Sequence, residues 1–132
     1  MNVKIDVKFL EGDKFEIATE DSNVIAYIDK PSQDYLPKGQ NPLQMFLSAT
    51  GGCVGVYAKR YLKRHNIEFN SLTVSVSADL SKDSPLRLVN IKAGVKTDAQ
   101  LGDKKEVFEK FIRGCPVHNT LINTKEVSIV LE

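Results

Sequence analysis

NPLQMFLSATGGCVGVYAKRYLKR, residues 41–64, decides how the rest of the chain is read, because it joins the clearest helix signal to one of only two cysteines. Asn41 is a good cap, Pro42 suits the first helical position, where its missing N–H would be unpaired anyway, and Gln44 is placed to reach back as in a capping box. The stretch therefore predicts a helix that begins at Pro42. No residue from Gly39 to Ala58 is charged, whereas Lys59, Arg60, Lys63 and Arg64 crowd the last turns, where positive charge meets the negative end of the helix dipole. One end is expected to be buried and the other solvated. Steps of ~100° per residue put Leu43, Phe46, Leu47, Val54, Tyr57 and Tyr61 on one side and Met45, Ala49, Cys53 and Val56 on another, so burial against more than one layer is expected. Ser48, Gly52 and Gly55 fall on a third strip, open to a close backbone neighbour. Gly51, Gly52 and Gly55 each give up ~1 kcal/mol of helix propensity relative to alanine. Close packing, or room for a ligand beside Cys53, is the reason expected for them. A membrane span is the rival reading of so long an uncharged run, but Gln40, Asn41, Gln44, Ser48 and Thr50 make it too polar for hydrocarbon.

Short strands surround this helix. Val3, Ile5, Val7 and Phe9 alternate with polar residues, the period of a half-buried strand, and residues 14–20 and 24–29 supply two more around the turns Glu11-Gly12-Asp13 and Asp21-Ser22-Asn23. A loop over 30–40, with Pro31, Ser32, Pro37 and Gly39, delivers the chain to the helix. Asn66 is expected to stop it, since Asn tolerates the left-handed conformation that follows a last turn. Residues 71–80 and 86–97 read as paired strands. Val107, Phe108, Phe111 and Ile112 have helical spacing that Gly114 ends, Pro116 opens a short helical turn, and Val127, Ile129 and Leu131 read as a last strand. Strand runs on either side of one buried helix predict an α+β fold with mainly antiparallel pairing, and the length predicts one domain, 1–132.

A net charge of +1 gives no electrostatic case for nucleic acid, and no aromatic-basic interleaving supplies another. The first residues read as strand and lack the apolar core of a signal peptide, so a cytoplasmic protein is expected. In that reducing compartment two cysteines are seldom a structural staple; they are ligands, redox groups or plain core residues.

Cys53 lies in the glycine-rich part of the long helix, and Cys115 at a Gly-Cys-Pro junction far along the chain. If they meet, one thiolate can attack an electrophile such as a peroxide oxygen and become a sulfenic acid, which the other resolves as a disulfide. Each cysteine by itself reads first as a small core residue, because free Cys is among the most buried residue types. His118 makes Cys-x-x-His with Cys115, a conceivable start to a zinc site with Cys53 or His65. His65 is roughly 18 Å from Cys53 along one helix at 1.5 Å per residue, so both cannot bind one ion and no metal site is expected. Arg113, two residues before Cys115, is a candidate source of positive charge there, with a surface arginine as its ordinary reading. Ser48 and Thr50 have no histidine and acid at a hydrolase spacing.

Taken together, NPLQMFLSATGGCVGV at 41–56 and GCPVHNTL at 114–121 resemble the OsmC/Ohr family of bacterial thiol peroxidases, and the element order extends the resemblance over nearly the whole chain. The resemblance implies antiparallel sheets around a long central cysteine-bearing helix in an intertwined homodimer, without a cofactor. It implies catalytic roles for Cys53, as the peroxidatic thiol, and Cys115, as the resolving one, acting on organic hydroperoxides or hydrogen peroxide with a dithiol such as a lipoyl group as reductant. The chain departs from the family pattern twice. The activating arginine of the N-terminal strands has no counterpart, since the first arginine is Arg60, and Leu43 and Gln44 stand where the family has a glutamate. Such neighbours lower a thiol pKa by several units, so modest activity is implied. The alternative from another class is a non-enzymatic dimer of the same fold that binds a small ligand beside Cys53 or senses thiol redox state.

Overall fold

Alternating and helical periods along the chain are realised as two small antiparallel sheets and one long helix, an α+β arrangement. The computed structural model describes residues 3–12, 14–19, 23–27 and 40–132; Met1, Asn2, Asp13, and the stretches 20–22 and 28–39 that the sequence reads as turn and loop, lie outside the described residues. The chain divides into two compact units, 1–46 and 47–132.

In the first unit β1 (Asp6–Glu11), β2 (Lys14–Ala18) and β3 (Asn23–Tyr27) form the expected meander, in the order β1-β2-β3. The register sets Val7 opposite Ile17 and Phe9 opposite Phe15, whose rings meet edge-on at 5.6 Å. Gly12 adopts φ 51°, a conformation that L side chains rarely take, just where the strand must reverse. The alternation is there but the expected half-burial is not: β1 is exposed along its whole length, Val7 and Phe9 included. Alternation sorts side chains onto two faces; a second layer is needed to bury one of them.

The long helix α1 (Pro42–Arg64) starts and stops where the sequence predicts. At its start the Gln44 N–H donates to Asn41 Oδ1 (2.9 Å) and the Asn41 N–H donates to Gln44 Oε1 (3.0 Å), a closed capping box. At its end Asn66 takes φ 52°, its N–H reaches the Lys63 carbonyl, and the Ile67 N–H reaches the Leu62 carbonyl, the two bonds of a Schellman motif.

In the second unit β4 (Leu72–Leu80) pairs antiparallel with β5 (Leu88–Thr97), with Val74 opposite Val95 and Val76 opposite Ala93. A 3₁₀ turn (Gly102–Lys104) leads into α2 (Lys105–Ile112), and α3 (Pro116–Asn123) is two full turns where the sequence suggested a short one. The buried stripe of α1 is Thr50, Val54, Ala58, Tyr61 and Leu62, repeating at i+4, and not the broader pair of faces read from periodicity. It packs with Phe108, Ile112 and Cys115 into one core cluster, where the Tyr61 ring lies 5.2 Å from Phe108 and 5.5 Å from Phe111. The glycines of α1 divide by role. A Cβ on Gly51 would come within 2.9 Å of Val76 Cγ2 and one on Gly55 within 3.6 Å of Val74 Cγ2, so these two let the helix sit close on β4, whereas a Cβ on Gly52 would meet nothing.

Residues 124–132 correct the expectation of a last strand. They form no ladder, and Ile129 and Leu131 are 95% and 103% exposed. The alternation Val127-Ile129-Leu131 suits a strand, but a strand needs a partner backbone to receive its N–H and C=O groups, and none pairs with it among the described residues.

Asp98 holds the entry to β4. Its carboxylate accepts the N–H groups of Asn70 (2.9 Å) and Ser71 (3.0 Å), while Thr97 Oγ1 donates to the Ser71 carbonyl (2.8 Å). The N–H groups of Ser71 and Asn70 hold the Asp98 carboxyl below its ordinary 3.8. Between the folded and the ordinary value the unfolded chain binds the extra proton, so the contribution of this carboxylate is present above the ordinary value and lost as pH falls through the folded one. Urea titrations across that acidic range are expected to show a shallower acid limb for Asp98→Asn than for the parent; identical limbs would remove Asp98 from the balance.

Candidate functional site

Gly114-Cys115-Pro116 is a helix stop joined to a helix start. The last carbonyls of α2 are used in turn, the Arg113 N–H reaching Glu109, the Gly114 N–H Phe111 and the Cys115 N–H Ile112. A Cβ on Gly114 would sit 3.2 Å from the Phe111 carbonyl oxygen, so glycine fits this tight exit. Cys115 then takes an extended conformation (φ −66°, ψ 141°), the region to which a residue before proline is confined, and becomes the N-cap of α3 with Pro116 at the next position. Cysteine is not an ordinary cap, and here sulfur does that work: the His118 N–H donates to Cys115 Sγ at 3.4 Å.

This conformation turns the Cys115 side chain into the core, where it is 0% exposed. Cys53, half-buried on α1, packs against the same cluster, close enough for the Cys53 thiol to bear on Cys115. The two thiols the sequence leaves far apart are therefore neighbours, both free. Burial pushes the Cys115 thiol above its ordinary value; the backbone N–H of His118 pulls the other way, and the Cys53 thiol adds to the upward push. Cys115 is thus held as a neutral thiol enclosed by protein, while Cys53 is only partly buried.

The other candidates have settled partners. His118 Nδ1 bonds the Arg113 carbonyl oxygen at 2.9 Å; that oxygen can only accept, so Nδ1 carries a proton and donates it. Arg113 is exposed and orients His118 through its main chain. Cys53, Cys115 and His118 do not converge as metal ligands, and no group of three His, Cys, Asp or Glu side chains does so among the described residues. Gln44 has its carbonyl oxygen committed to the capping box. The Arg60 guanidinium lies over the Tyr57 ring at 5.3 Å and that of Arg64 over Phe111 at 5.7 Å, so the basic end of α1 rests partly on aromatic faces. Among the described residues no helix is long and apolar enough to cross a membrane.

A cavity of about 640 Å³ has Val54, Val95, Phe108 and Ile112 as apolar walls and Arg113 and His118 among its polar ones; neither cysteine lines it. Sequence reasoning did not find it. Its walls come from α1, β5, α2 and α3, and no local pattern connects them.

Comparison with known proteins follows from this geometry. A family model described as OsmC-like protein matches residues 35–130. No curated protein matches the chain. Among solved structures the chain is similar to an OsmC like protein from Mycoplasma pneumoniae, at 22% identity over 94% of this chain and 91% of that one, with a TM-score of 0.75. It is similar to the organic hydroperoxide resistance protein OhrB of Bacillus subtilis (21% identity, 92% and 93% covered, TM-score 0.64). It is also similar to an organic hydroperoxide resistance protein OsmC from Legionella pneumophila (16%, 92% and 90%, 0.63). At such identities the likeness is one of fold.

Proposed function

The chain belongs to the OsmC-like protein family, and from that premise we propose that it is a two-cysteine peroxide reductase acting on organic hydroperoxides or hydrogen peroxide. The observation that carries this reading is the pair of free, neighbouring thiols with unequal access to solvent. The Cys53 thiolate attacks the peroxide oxygen, the O–O bond breaks, the leaving alkoxide takes a proton to become an alcohol, and Cys53 becomes a sulfenic acid. Cys115 displaces its oxygen as water, forming the Cys53–Cys115 disulfide. A dithiol such as a lipoyl group returns both sulfurs to the thiol form.

Two names among the structural neighbours support the substrate class, being those of organic hydroperoxide resistance proteins. The chain has no counterpart of the arginine and glutamate that the family resemblance assigns to thiolate activation, so turnover is expected to be slow. The working form is a homodimer, supported by apolar surface on elements that a second copy would cover: Val7 and Phe9 on β1, Ile91 on β5, and Ile129 and Leu131 in the unpaired C-terminal segment. A cytoplasmic setting agrees with two cysteines kept free.

Stoichiometric cumene hydroperoxide is expected to remove two thiols per chain within minutes, and dihydrolipoamide to restore both. Loss of one thiol, or of none, would overturn this reading. It would favour the second, a ligand-binding protein without turnover, for which the cavity walled by Val54, Phe108 and Ile112 is the supporting observation.

A further inference from the structure

In the disulfide between Cys53 and Cys115 the two sulfurs would be equal in oxidation state and unequal in everything else. An incoming thiolate must approach in line with the S–S bond, on the side of the attacked sulfur away from its partner, and the other sulfur leaves with the electron pair. Cys115 offers no such approach: it is 0% exposed and lies in the buried cluster with Ile112, against which Val117 packs. Cys53 is only partly buried. Leaving-group character does not set the direction, because burial holds the Cys115 thiol above its ordinary value even though its sulfur accepts the His118 N–H at the start of α3; access does.

We infer that reduction of the Cys53–Cys115 disulfide is directional: the external dithiol attacks Cys53, the mixed disulfide forms there, and the enclosed Cys115 departs. This rests on the reading above for the disulfide being the species cycled. In the first step the electron pair of one reductant thiolate makes the bond to Cys53 Sγ, and the pair of the Cys53–Cys115 bond goes to Cys115, which takes a proton. In the second step the other thiol of the same reductant, as thiolate, attacks its own sulfur in the mixed disulfide, closing a cyclic disulfide and releasing Cys53. The protein disulfide gains two electrons and the dithiol loses two. A consequence is that the sulfur proposed to meet the peroxide also meets the reductant, so oxidant and reductant take turns at one opening, and Cys115 deals only with Cys53.

The test stalls the exchange at its first step. The full chain is oxidised with diamide, which closes the disulfide without a peroxide. A monothiol, glutathione, is then added, samples are acid-quenched at short times, and the glutathione-bearing peptide is mapped by mass spectrometry and extrapolated to zero time. At least about a tenfold excess of adduct on Cys53 over Cys115 is expected, from the access that in-line attack demands. Adduct on Cys115, or equal labelling, overturns the inference, as does failure of diamide to form the disulfide. If cumene hydroperoxide leaves both thiols intact while the diamide disulfide opens at Cys53, the peroxidase reading fails and the directional exchange stands.

Discussion

Cys53→Ser is expected to reduce peroxide consumption by roughly 10³-fold or more, to the level of buffer, because a serine hydroxyl is neither ionised near neutral pH nor as polarisable as sulfur. Consumption of cumene hydroperoxide measured against protein concentration reads this directly. Cys115→Ser should behave differently. Position 115 is the N-cap of α3, and serine is among the preferred N-caps, so the substitution keeps the local helix start while removing the thiol. The first peroxide should still be reduced, after which Cys53 has no resolving partner and advances to sulfinic acid, visible as two added oxygens on one peptide. A Cys115→Ser protein that lost the first turnover while Cys53→Ser kept it would reverse the roles.

Leu62→Ala is expected to destabilise the fold by about 2–5 kcal/mol, the range for truncating an enclosed leucine. Leu62 is fully buried at the centre of the cluster that joins α1 to α2 and holds Cys115. Against a total stability of about 5–15 kcal/mol, such a loss threatens the site along with the fold. Leu62→Met, which nearly conserves volume, should lose less than about 1.5 kcal/mol. Equilibrium urea unfolding of the three proteins separates these values. Equal midpoints for Leu62→Ala and the parent would mean that the cluster is not the stabilising core.

Both experiments turn on residues that sequence reasoning treated unequally. Cys53 and Cys115 stood out as chemistry, and their roles were supplied by family resemblance. Leu62 went unnoticed, because a helix with apolar residues on several sides gives no single stripe to choose, and packing chose the line through Val54, Ala58, Tyr61 and Leu62. The Asp98 carboxylate went unnoticed too, since its partners Asn70 and Ser71 lie on the other side of the β4–β5 hairpin.

The amino-acid order by itself determined the ends of the long helix, through Asn41, Pro42 and Gln44 at one end and Asn66 at the other, together with the pairing strands and the Gly-Cys-Pro break. These features need only neighbours within a turn or two, whose hydrogen bonds and allowed backbone angles act wherever the segment goes. Only the tertiary structure decided that Cys115 lies against Cys53, that it is enclosed while Cys53 is not, and that its sulfur caps α3. Contacts between distant segments arise from how α1, α2 and the β4–β5 sheet fill space together, and no local period records which side chains that packing brings face to face.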